Sequence, residues 1–269
     1  MTDFNEAMSA TADAVSEALD DILERMEGPE NRLLEAMRYS ALGGGKRVRP
    51  FLVVASADLF GVARERSLRA AAAIEMIHCY SLIHDDLPAM DDDDMRRGRP
   101  TAHVQFDEAT AILAGDALLT EAFGVLAEGA AAAGNAPAGL QAIARLARAA
   151  GAMGLVGGQI DDLAFEARQA HGESADSGTE QARLASIHAR KTAALFQAAI
   201  VGGALLGGAS EQDQATLDAF SREIGIAFQI ADDVLDADSD EAASILRLQG
   251  EGAAKRGAEG LLEQALERI

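Results

Sequence analysis

With 269 residues, 49% of them apolar, the chain can bury one large core, and no long Pro-, Ser- or charge-rich tract marks a disordered region or a linker between domains. Asp and Glu number 44 against 23 Lys and Arg, a formal charge of −21, so the far field repels nucleic acid and anionic lipid. Any phosphate group must therefore be held by local groups.

Residues 1–26 mix acids with apolar residues at helical spacing and lack the basic start and apolar centre of a secretion signal. The single cysteine, Cys79, has no internal partner for a disulfide and is expected to be buried, so a reduced, cytoplasmic setting is expected. Apolar residues recur three and four apart over 33–42, 68–83, 109–126 and 217–235, while the five prolines sit near breaks. Strand signals are scarce. The expectation is an all-α single domain over 1–269, a bundle of about ten helices. Gly28-Pro29, Gly134-Asn135 and the run 171–178 read as connections. The charge-free stretch 192–210 approaches the length of a membrane span, but it is mostly Ala and Gly and lacks aromatic anchors, so a buried helix and no span is expected.

Along the chain, the first chemical signal is Gly44-Gly45-Lys46-Arg47-Val48-Arg49. It departs from a Walker A loop, having Ser40 where the first glycine belongs and Arg47 at the Ser/Thr position. Glycines let the backbone approach a ligand, and forked guanidinium groups match phosphate oxygens, so Lys46, Arg49 and the later Arg97 can hold a diphosphate without metal. An ordinary basic helix start is the other reading of that segment taken alone.

The next signal is the strongest. Asp85-Asp86-Leu87-Pro88-Ala89-Met90-Asp91 is followed by Asp92, Asp93, Asp94 and then Arg96-Arg97-Gly98-Arg99. Such crowding of carboxylates is relieved by a divalent cation, and hard oxygen donors suit Mg²⁺ or Ca²⁺. The apolar segment 74–83 before it places Asp85 and Asp86 at the end of a buried helix rather than on a solvated face. No register fits an EF-hand. A second cluster, Asp232-Asp233-Val234-Leu235-Asp236, also ends an apolar run; Asp232 and Asp236 are four apart and share a helix face. Two acidic clusters suggest two carboxylate walls lining a bundle cavity, and a separate basic pocket would anchor a second diphosphate.

In order, Gly44-Gly45-Lys46-Arg47 with Arg49-Pro50, the first aspartate motif with Arg96-Arg97-Gly98, Gly157-Gly158-Gln159 with Asp162, Lys191-Thr192, and Phe228-Gln229 before the second aspartate motif resemble the trans-prenyl diphosphate synthases, over about residues 39–236. The sequence looks like the bacterial farnesyl diphosphate synthases of that family. The resemblance implies the isoprenoid synthase fold, helices around a central cavity, and head-to-tail condensation of isopentenyl diphosphate with an allylic diphosphate. It implies that Asp85, Asp86, Asp91, Asp232 and Asp236 ligate Mg²⁺, and that Arg96 and Lys191 contact the allylic diphosphate. Isopentenyl diphosphate would meet Gly45, Lys46, Arg49, His78 and Arg97. Lys191, Thr192 and Gln229 would stabilise the allylic cation. A homodimer is also implied. His78 as a core histidine, Gln159 and Asp162 as packing or supporting residues, and Thr192 as a helix back-bonder are the plainer readings; Asp92, Asp93 and Asp94 are expected to be solvated or indirect.

Tyr80 and Ser81 lie about one turn deeper than Asp85, and by the same resemblance Tyr80 floors the pocket that limits product length. Geranylgeranyl or geranyl diphosphate synthesis differs only in that depth. A terpene cyclase lacks the second diphosphate site, and a silent subunit of a heteromeric synthase has no need of both aspartate motifs. After Asp236 the chain runs Ala237-Asp238-Ser239-Asp240-Glu241, with no lysine before Lys255, where the family carries a longer Gly- and Lys-bearing loop. Omitted residues, here and in the short tail, are expected rather than true deletions.

Overall fold

The computed structural model describes residues 3–26, 31–132, 134–173, 175–235 and 250–269. Helix dominates, as the apolar spacing predicts, and the chain divides into two compact units, Met1–Ile143 with Gly203–Gly208, and Ala144–Gly202 with Ala209–Ile269. Gly28-Pro29, Asp236 and 237–241 lie outside the described residues.

The first unit is organised around α4 (Arg64–Asp85), which is buried on nearly all sides through Ala70, Ala71, Ala72, Ala73, Ile77 and Tyr80. A helix with so little polar face must be surrounded by others. The helices that pack on it most extensively are α1 (Phe4–Glu24), α3 (Val48–Leu59) and α6 (Glu108–Ala132). The first of these buries Thr11, Val15, Leu19 and Leu23, four residues apart in a single stripe. Between α1 and α3 runs α2 (Asn31–Ala41). Among the described helices, α6 alone is long and apolar enough to cross a membrane, though it packs along α4.

After α4 the chain forms a hairpin that the scarcity of strand signals did not foreshadow, β1 (Met95–Arg96) against β2 (Arg99–Pro100), with Met95 opposite Pro100. A single helical turn, α5 (Ala102–Gln105), follows. Next comes α7 (Ala136–Ala150), whose later residues belong to the second unit.

In the second unit, α8 (Leu155–Ala170) and α9 (Ser177–Ile187) lead into a π-helical turn, His188–Ala193, continued by α10 (Ala194–Leu206). The charge-free stretch is a buried helix as expected: Leu195, Phe196, Ala199 and Val201 have no exposed surface. Among the described residues the unit also contains α11 (Glu211–Leu235) and α12 (Glu251–Leu266), packed on each other. Near the chain's end Arg268 donates three hydrogen bonds of 2.6–2.9 Å to the Glu223 carboxylate of α11.

Candidate active site

In the first unit, α4 ends at Asp85 and is capped by Asp86, where the apolar segment predicts the two acids to emerge. The chain then doubles back. Asp91 N–H donates to the Asp85 carbonyl at 2.9 Å, and Asp92 N–H to that of Leu87 at 3.2 Å, so the first and last acids of the motif become neighbours. Asp86 is only 3% exposed. Its carboxyl titrates above the ordinary range because of burial, with Arg96 opposing and Asp93 and Asp91 adding to the rise. Arg96 Nε donates to Asp86 Oδ1 at 2.6 Å, and its Nη2 to Asp93 Oδ2 at 3.4 Å. Asp92, Asp93 and Asp94 are exposed, as expected.

Peptide neighbours on the hairpin serve different partners. While Arg96 holds the acidic turn, Arg97 reaches the Gly44 carbonyl of the loop between α2 and α3. Arg99 lies over the Tyr39 ring, 4.0 Å from its centroid, and the Tyr39 hydroxyl donates to the Pro100 carbonyl at 2.8 Å. Gly43, Cys79, Asp86, Arg96, Arg97 and Thr101 border one small cavity. The structure thus brings the glycine loop and the first aspartate motif to a common hollow.

Lys46 is exposed and Arg49 half-buried. His78, on the α4 face toward this loop, is held well below its ordinary pKa by burial first, then by Arg49 and Arg97. It is therefore neutral in the folded protein near pH 7. Between its lowered pKa and 6.5 the unfolded chain binds a proton here that the native chain refuses, so stability falls as the pH drops below about 6.5. On acidification from pH 7.5 to 5.5, urea unfolding of His78→Gln should show a smaller loss of stability than the wild type, by up to about 1 kcal/mol.

Tyr80 is buried, edge-on to His84 at 5.8 Å, with its hydroxyl unpartnered among the described residues; burial and then Asp85 push its pKa up to about 12. The Ser81 hydroxyl donates to the His78 carbonyl at 2.9 Å, so it is engaged within its own helix.

The second unit builds its polar cluster on the π turn. Such turns widen the helix locally, re-aiming the side chains they carry, and recur at functional sites. Lys191 Nζ donates to Asp162 Oδ2 at 2.7 Å. The Thr192 hydroxyl donates to Gln229 Oε1 at 2.6 Å rather than back into its own helix, and Gln229 Nε2 donates to Asp233 Oδ1 at 2.8 Å. His188 Nε2 stands 3.7 Å from Asp233 Oδ2; burial lowers its pKa, with Asp233 pulling the other way. Lys191 and Thr192 follow each other on the π turn, Thr192 meets Gln229 of α11, and Asp232 sits half-exposed on that same helix. Sequence reasoning missed His188 and the orienting role of Asp233, for which the only signal was the doubled aspartate.

This arrangement needs α8 very close to the π turn. A Cβ on Gly158 would collide with the Lys191 backbone nitrogen, and one on Gly225 of α11 would stand 2.6 Å from Ala193 Cα. Both facing helices touch the turn through glycine. That contact gives the Gly157-Gly158 pair a packing role, while both amide atoms of Gln159 are buried without a partner among the described residues.

Among the described residues no three His, Cys, Asp or Glu side chains converge enough to hold a metal by themselves. The donors present are all carboxylate oxygens, and at the first motif burial raises Asp86, with the neighbouring Asp93 and Asp91 adding to the rise. That fits Mg²⁺, which keeps water and takes phosphate oxygens alongside one or two carboxylates.

A family model described as polyprenyl synthetase matches residues 30–245. The farnesyl diphosphate synthase of Bacillus subtilis (strain 168) is 46% identical over 218 residues, 81% of this chain and 70% of that protein. Geranylgeranyl pyrophosphate synthase 7 of Arabidopsis thaliana is 47% identical over 235 residues, 87% of this chain and 65% of that protein. Among solved structures, an FPP/GFPP synthase from Zymomonas mobilis superposes with a TM-score of 0.87 at 43% identity, covering 97% of this chain and 90% of that one.

Proposed function

This chain belongs to the polyprenyl synthetase family, and from that premise we propose that it is a prenyltransferase joining isopentenyl diphosphate head to tail with dimethylallyl or geranyl diphosphate, ending at farnesyl diphosphate. The observation that supports it most is the common hollow of the first unit, where an acidic turn and a glycine- and arginine-bearing loop meet through the hairpin arginines. One side suits a diphosphate bound through cations, the other a diphosphate bound directly.

Asp85, Asp86, Asp91, Asp232 and Asp236 would hold Mg²⁺ against the allylic diphosphate. When bound, it supplies positive charge that offsets the charge developing on the departing group. Arg96 and Lys191 would grip the same diphosphate, while Gly45, Lys46, Arg49, His78 and Arg97 would receive isopentenyl diphosphate. The allylic carbon–oxygen bond breaks with its electron pair left on the diphosphate. The isopentenyl double bond then attacks the allylic carbon, and a proton passes from the resulting cation to the released diphosphate. The Lys191 carbonyl, the Thr192 hydroxyl and the Gln229 amide oxygen would present negative dipole ends to the cation. Gln229 is fixed for that task by Asp233. We further propose that 1–269 acts as one catalytic domain in a cytoplasmic homodimer.

The plant relative favours geranylgeranyl diphosphate as a second reading. Incubation with isopentenyl and geranyl diphosphates and Mg²⁺, read by mass spectrometry, decides between them: farnesyl diphosphate is expected, and a wild type yielding no prenyl product sinks the proposal. In the same assay Tyr80→Ala should shift the products to longer chains, as a shortened pocket floor requires. An unchanged distribution removes Tyr80 from that role.

A further inference from the structure

Among the described residues, three other than glycine hold positive φ: Arg47 (50°), Asp92 (55°) and Arg97 (53°). Such backbone is costly for a side chain with a Cβ and persists where surrounding contacts enforce it. At Arg47 those contacts are visible. Its side chain turns away from Lys46 into the core and is 1% exposed, opposite a Glu75 side chain 2% exposed on α4. Nη1 donates to Glu75 Oε1, and Nη2 donates to the carbonyl of Ala41, the last residue of α2, at 2.6 Å.

A buried ion pair is weak evidence for stability, because desolvating both charges offsets their attraction and apolar replacements are commonly as stable. Its position suggests another use. Ala41 and Arg47 bracket the loop 42–46, which contains three consecutive glycines, the residue most costly to order. One guanidinium ties the loop's exit to its entrance and ties both to α4, one turn before His78. Lys46 is thereby left outside and Arg49 stands on the first turn of α3.

We propose that Arg47 and Glu75 are positioning residues whose buried pair clasps the 42–46 loop, so that Lys46 and Arg49 are set to receive the diphosphate of isopentenyl diphosphate without either member of the pair touching it. This rests on the function proposed above and adds two residues to it. An ordered loop spares the ligand the entropy of arranging it, so loosening the clasp weakens anion binding rather than removing a contact.

The test compares wild type, Glu75→Gln, and the double variant Arg47→Met with Glu75→Leu. Each is titrated with inorganic pyrophosphate in EDTA by calorimetry, melted, and assayed for KM of both diphosphate substrates. Pyrophosphate affinity in EDTA and KM for isopentenyl diphosphate should each worsen roughly tenfold in both variants, with KM for geranyl diphosphate within about twofold. The double variant should melt within about 4 °C of wild type. Wild-type affinity in a folded double variant, a parallel rise of both KM values, or no metal-free binding by the wild type overturns the proposal. If the double variant does not fold, wild-type affinity in Glu75→Gln overturns it. Should the wild type make no product, the enzymatic reading fails, while the pyrophosphate titration still decides the clasp.

Discussion

Replacing Asp86 with Asn is expected to lower turnover about a thousandfold, a barrier increase of about 4 kcal/mol. The amide keeps shape and one carbonyl oxygen but loses the negative charge that would attract Mg²⁺ to the turn. It also turns the charged 2.6 Å bond from Arg96 into a weaker neutral-acceptor one, loosening that guanidinium from the acidic turn. Burial raises the Asp86 carboxyl, so asparagine is tolerated there and the melting temperature should hold within about 3 °C. Steady-state kinetics with a thermal melt check both parts. Turnover within tenfold of wild type would remove Asp86 from the machinery.

The second large effect is structural. Gly158→Ala adds a Cβ where the Lys191 backbone already stands, and backbone cannot rotate away as a side chain can. Relief requires α8 to retreat from the π turn, separating Asp162 from Lys191 and disturbing the turn that carries Thr192. The expected cost is about 3 kcal/mol, or a melting temperature lower by roughly 6–10 °C. Turnover should also fall, by about a hundredfold in the folded fraction, since small displacements of positioned groups are expensive. Calorimetry and kinetics at a temperature where the variant remains folded separate the two losses.

Helix placement was legible because apolar spacing reports burial directly: the stripes over 33–42, 68–83 and 217–235 lie within or next to α2, α4 and α11. The end of α4 at Asp85 was legible for the same reason. The hairpin was not, since two-residue strands carry no period to detect. Nor was the π turn, whose six residues differ from an α-helix by less than one residue per turn. Lys46 and Arg47 look alike as a basic pair, yet the left-handed backbone at Arg47 sends one to solvent and the other to the core. Glu75, a lone acid in an apolar segment, was the available clue to where that guanidinium goes. The doubled acids in the second motif hid a division of labour, for Asp233 orients Gln229 through a hydrogen bond that spacing alone cannot assign.

The hairpin sets a distance. Arg96 and Arg97 are joined by one peptide bond, yet one grips the acidic turn and the other the glycine loop, so the gap between those two loops is limited to the reach of two side chains on adjoining residues. Inserting a single residue between these arginines would leave each loop intact and misalign them as a pair. Two reactants held there would then be individually welcome and mutually out of reach.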